Sequence, residues 1–95
     1  MKKIKLTKFD MANYLTTEKE ITEYLKAAFE DNDPEFLPIA LGTVARARGV
    51  TEVAKKAGVS RASLYKSLAA GSRPEFATIS KVIEALGFKL KIAKA

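Results

Sequence analysis

The sequence has no cysteine, no histidine and no tryptophan among its 95 residues. Without cysteine there is no disulfide framework, no thiol nucleophile and no zinc–thiolate site. Histidine is the commonest general base and metal ligand, and its absence leaves Ser60, Ser63 and Ser67 outside any Ser–His–Asp arrangement. There is no Gly-rich phosphate loop, and no apolar run approaches the roughly 20 residues that span a bilayer. The start, Met1-Lys2-Lys3-Ile4-Lys5-Leu6-Thr7-Lys8, is basic but lacks the apolar stretch of a secretory signal. These absences point to a cytoplasmic binding module that is not an enzyme and has no cofactor or metal.

What is present fits one small folded domain. Apolar residues make up 47% and charged residues 29%, which is ordinary for a chain that folds. The net charge of +6 is unevenly placed. Residues 1–17 carry +3, residues 18–36 carry −5, residues 37–73 carry +6 and residues 74–95 carry +2. A basic middle suggests a polyanion partner, and an acidic segment suggests a different one.

Periodicity predicts five helices. After a short helical turn at 10–15, Thr17 is placed to cap a helix over about 18–31. Ile21, Tyr24, Leu25, Ala28 and Phe29 form its apolar stripe. A second helix, about 35–48, is apolar on several sides and so belongs in the middle of the domain. Thr51 caps a short third helix over 51–57, and Gly58-Val59 form a tight turn. Ser60 caps a fourth helix over about 61–69. Phe76, Ile79, Val82, Ile83 and Leu86 mark a fifth, closed by Gly87. Phe88-Lys89-Leu90-Lys91-Ile92 alternates strictly, which predicts a β-strand at 88–92. It would pair with residues 4–6 or with the same strand of a second copy. Residues 1–17 are then an N-terminal arm, and 18–95 a single domain.

The informative stretch is 51–70. Ala54, Gly58, Val59 and Leu64 supply the small residue, the turn and the apolar anchor that a DNA-binding helix-turn-helix needs. A recognition helix lays its N-terminal half in the major groove. The exposed positions there are Arg61, Ala62, Tyr65 and Lys66, the candidate base contacts. Arg61 suits a bidentate grip on guanine O6/N7, Ala62 a thymine methyl, and Lys66 a base or a phosphate. Tyr65 either reaches a base or packs on its neighbours. Thr51, Lys55, Ser60, Ser63 and Arg73 are candidate phosphate contacts, which position without reading sequence. The acids Glu30, Asp31, Asp33 and Glu35 do not have EF-hand spacing and suit helix-end capping instead.

Thr51-Glu52-Val53-Ala54-x3-Gly58-Val59-Ser60-Arg61, followed by Leu64-Tyr65-Lys66, resembles the helix-turn-helix of Xre/Cro-type regulators. Four further blocks widen the resemblance: Phe9-Asp10-x3-Tyr14-Leu15, the acidic helix with Tyr24-Leu25, Leu41-Gly42-x2-Ala45-Arg46-Ala47-Arg48-Gly49, and Phe76-Ala77-Thr78-x3-Lys81-Val82-x2-Ala85-Leu86-Gly87. Taken together, the chain is similar to addiction-module antidote proteins, type II antitoxins of the Xre/Cro-like family. Many Xre-type proteins carry Gln at the position where this chain has Glu52.

The resemblance implies an all-α, five-helix lambda-repressor-like domain with a short C-terminal strand. It implies a homodimer that binds double-stranded operator DNA, represses its own operon and neutralises a small basic RelE/ParE-like toxin. The acids Glu20, Glu23 and Glu30 are then candidate toxin contacts. The alternative is a stand-alone prophage regulator with no toxin. A membrane or RNA surface role has little support, for there is no aromatic platform and no basic amphipathic helix with bulky anchors.

Overall fold

The structure, a computed structural model, describes residues 10–95. A 3-10 turn (Met11–Tyr14) leads into five α-helices: α1 (Glu18–Asp31), α2 (Phe36–Arg48), α3 (Val50–Ala57), α4 (Arg61–Ser67) and α5 (Phe76–Ala85).

The hydrophobicity of α2 explains its place. Pro38 and every residue from Ala40 to Ala45 are buried, so the helix has little solvent side to offer. The 3-10 turn, α1, α3 and α5 all pack on it. Leu41 and Val44 of α2, with Val82 and Leu86 from the other side, form the deepest layer. Each such side chain contributes about 1.5–3 kcal/mol by leaving water. Thr43 is buried beside them, and its hydroxyl donates to the Ile39 carbonyl one turn back (3.1 Å).

α1 starts with a capping box. Thr17 Oγ1 accepts from the Glu20 amide, and Glu20 Oε1 accepts from the Thr17 amide, both at 3.1 Å. Ile21, Leu25 and Ala28 turn inward, with Tyr24 and Phe29 half-buried beside them. Asn32, in the left-handed region at φ 55°, ends the helix.

Gly49 joins α2 to α3 at φ 110°. At the other end of α3, Gly58 has φ 76°, and the amides of Gly58 and Val59 return to the carbonyls of Lys55 and Ala54 (3.1 and 3.0 Å). This is a Schellman closure, and it turns the chain directly into α4. Ser60 caps α4 by accepting from the Ser63 amide (3.0 Å). After α4, the Ser72 hydroxyl donates to the Ser67 carbonyl (2.6 Å) and ties down the loop before α5.

Several expectations need correction. The strand at 88–92 does not form: no strand occurs among the described residues. Alternation makes a segment competent to pair, but a strand exists only through a ladder. Residues 4–6, one expected partner, lie outside the described residues. Phe88 packs on the core while Leu90 and Ile92 stand exposed. Thr51 is not a cap, because Gly49 takes that position and α3 begins at Val50. α4 ends at Ser67 rather than Ala69. Phe76 is 72% exposed instead of core-facing, since at the first position of α5 it stands beyond the buried pair Val82 and Ile83.

Candidate nucleic-acid interface

α4 is short, and its two leucines decide its orientation. Leu64 is buried, and so is Leu68 immediately after the helix, so the opposite side of α4 must face solvent. Arg61, Ala62, Tyr65 and Lys66 all lie on that exposed side. Two of them touch each other. The Arg61 guanidinium lies 5.7 Å from the centroid of the Tyr65 ring, and Arg61 Nη2 donates to the Tyr65 hydroxyl at 3.3 Å. Residues four apart on a helix are neighbours, which is why the pair forms.

The expected phosphate contacts are exposed as well. Thr51 and Lys55 are on α3, Ser60 and Ser63 begin α4, and Arg73 is in the loop that follows. Ser60 Oγ already accepts from the Ser63 amide, yet its hydroxyl proton remains able to donate. Glu52, the acid in the basic stretch, is exposed on the first turn of α3.

Two bases that swell the charge of 37–73 are engaged elsewhere. Arg46 forms a bidentate pair with Asp10, Nε to Oδ2 at 3.0 Å and Nη2 to Oδ1 at 2.9 Å. Arg48 grips Glu18 through Nη1–Oε2 (2.6 Å) and Nη2–Oε1 (2.8 Å), and its guanidinium lies over the Phe88 ring at 5.8 Å. The Arg46 hydrogen bond, with the Ala12 amide, lowers the Asp10 pKa; the hydrogen bond from Arg48 lowers that of Glu18. Asp10 in turn raises the pKa of Arg46. Among the described residues, the bases of this stretch that form no ion pair are Lys55, Lys56, Arg61, Lys66 and Arg73, on α3, α4 and the loop after them. Nothing in the local sequence marks these pairs, whose members stand 36 and 30 residues apart.

Among the acids expected to meet a protein partner, Glu23 and Glu30 are exposed on α1. Glu20 is exposed but occupied: its carboxylate accepts from the Thr16 amide (2.9 Å), the Thr16 hydroxyl (3.1 Å) and the Thr17 amide (3.1 Å). Those bonds, the Thr16 amide first, lower its pKa. The spacing Thr17-x-x-Glu20 is the sequence signal for this box.

Comparison with protein families matches residues 5–94 to the family described as probable addiction module antidote protein. The chain belongs to that family. The match runs through every helix of the antidote fold, from before the 3-10 turn to the segment after α5. A protein of Haemophilus influenzae (strain ATCC 51907 / DSM 11121 / KW20 / Rd), described as an uncharacterized protein, is 40% identical over 90 residues. That alignment covers 95% of this antidote chain and 93% of the relative. No solved structure matches the chain. Among the described residues, no helix of the antidote protein is long and apolar enough to cross a membrane, and no group of three or more acids could hold a metal ion.

Proposed function

We propose that this antidote-family protein is an antitoxin that also acts as an Xre/Cro-type repressor, binding operator DNA as a dimer through α4. The observation that carries the reading is the face of α4. Leu64 and Leu68 fix the helix from behind, while Arg61, Ala62 and Lys66 present base-reading side chain types, with Tyr65 among them in contact with Arg61. In this reading α3, the Gly58 turn and α4 act as the helix-turn-helix of a lambda-repressor-like domain; Lys55, Lys56, Arg61 and Lys66 lie on these two helices and Arg73 just after them. Thr51, Lys55, Ser60, Ser63 and Arg73 then hold phosphates, while Glu52, exposed on α3 one turn before Lys55, is the one acid there that phosphate repels. The acidic side of α1, with Glu23 and Glu30, faces a basic toxin of the RelE/ParE kind. Toxin binding and repression of its own operon follow the antidote role, on the nucleoid.

The test is binding to duplex DNA from upstream of the gene, followed over a range of salt. Affinity falls steeply as salt rises, each cationic phosphate contact adding about 0.9 to the log–log slope. Arg61→Ala flattens the preference among operator variants by about 1–3 kcal/mol at one base pair. Replacing Lys55 or Arg73 by Ala weakens all sequences alike. No binding at low salt would overturn the DNA reading, and an equal loss on every sequence would move Arg61 to a phosphate.

A further inference from the structure

We infer that Tyr65 is a positioning residue rather than a base reader: it holds the Arg61 guanidinium ready for a guanine edge. The inference rests on the DNA-binding reading of α4. Arginine presents five N–H donors in a planar fork. Here Nη2 spends one on the Tyr65 hydroxyl at 3.3 Å, and the guanidinium is also held over the ring, 5.7 Å from its centroid. Among the described residues, the other donors have no partner. Both residues are exposed, Tyr65 at 48% and Arg61 on the same side of α4, so the pair stands in water before any partner arrives.

A free arginine must give up its rotamer freedom when it grips a base, and a preformed arrangement removes much of that cost. The ring also supplies what an aliphatic neighbour would not, a face that attracts the cation. Lys66, next along the chain and also exposed, has no such support among the contacts of the described residues and therefore meets DNA as a mobile point charge. α4 thus carries one prearranged reader and one adaptable cation.

Selection from a randomised duplex library tests the assignment without knowledge of the operator, using the full chain and its Arg61→Ala, Tyr65→Ala and Tyr65→Phe variants. The wild type enriches a motif in which one G·C pair depends on Arg61. Tyr65→Ala weakens preference at that same pair by roughly three- to tenfold and leaves the others unchanged. Tyr65→Phe, which keeps the ring, retains most of the preference. Loss of preference at a different base pair would make Tyr65 a reader in its own right and overturn the inference. Uniform weakening on all sequences would overturn it too.

NMR of the free protein supplies the second arm. The Arg61 side-chain protons show ring-current shifts that vanish in Tyr65→Ala, while the unfolding midpoint stays within a degree or two because Tyr65 is exposed. Unshifted Arg61 protons in the wild type would remove the physical basis of the inference. If the wild type enriches no motif at all, the DNA reading itself has failed; if it enriches one that ignores Tyr65, only the positioning role has.

Discussion

Gly42 lies in the middle of α2, where a Cβ would stand 3.2 Å from the Leu68 carbonyl oxygen and 3.4 Å from the Leu68 Cβ. The chain leaving α4 is thereby allowed to press directly on α2. Gly58 has no atom within 4 Å of its would-be Cβ, but its φ of 76° is one that side-chain-bearing residues rarely adopt. The two glycines are needed for different reasons, and substitution separates them. Gly58→Ala costs about 1 kcal/mol through backbone strain, and Gly58→Asn recovers much of it, since Asn tolerates the left-handed region. Gly42→Val costs about 1–3 kcal/mol by overpacking against Leu68, and there Asn gives no relief. Urea unfolding of the four proteins checks both statements; equal behaviour of the two Asn variants would contradict them. Gly58 is legible in the sequence because a turn must follow the third helix four residues after Ala54. Gly42 is not, because its reason is a close approach from 26 residues away, which no local pattern carries.

At the scale of elements, the start of α1 shows what helical periodicity reveals and what it hides. The stripe from Ile21 to Phe29 predicts the helix and its buried face, and Thr17 predicts its cap. The acidic positions look alike by count, yet they do different things. Glu18 pairs with Arg48, Glu20 closes the capping box, and Glu23 and Glu30 remain exposed. Charge reversal therefore has to be read site by site. Glu20→Lys disrupts the box and destabilises the helix start, as does Thr17→Ala, which costs about 1 kcal/mol. Toxin neutralisation by such a variant would confuse folding with contact. Glu23→Lys and Glu30→Lys leave the unfolding midpoint nearly unchanged and weaken neutralisation of a basic toxin, scored by co-expression and by titration of the complex. Full neutralisation by the double reversal would move the toxin interface off this face of α1. The end of the chain gives the opposite lesson: strict alternation over 88–92 is a real pattern, but pairing is a property of two segments, and one segment's sequence cannot supply it.

For the whole molecule, the sequence shows an acidic segment before a basic middle, and folding pairs two bases of the middle with acids from earlier in the chain. Arg46 and Arg48, both from α2, reach back to Asp10 and Glu18, so among the described residues the bases of 37–73 without an ion pair lie on α3, α4 and the following loop. Charge counted along the chain thus overstates the size of the basic surface and understates how sharply it is placed. The same pairs tie the 3-10 turn and the start of α1 to the central helix, which makes that attachment sensitive to acid. Asp10, Glu18 and Glu20 all have folded-state pKa values below their ordinary 3.8 and 4.5. A lowered carboxylate pKa means that the unfolded chain takes up protons first as the pH drops. The stability these groups add is in place above their ordinary values and is lost as the pH falls through the lower, folded ones. Thermal unfolding followed from about pH 7 to about pH 3 should show a midpoint that drops on the acid side. The Asp10→Asn, Glu18→Gln double variant, with both ion pairs removed, should unfold at a lower temperature near neutrality and lose less on acidification. Because the Arg46–Asp10 pair is open to solvent and the Arg48–Glu18 pair is open on its Glu18 side, about 1 M salt should narrow the gap between the two proteins. Coincident midpoint curves across the pH range would mean that the two arginine clamps add nothing to the stability of the fold, and that the N-terminal segment is held by other contacts, the apolar ones of Met11 and Leu15 among them.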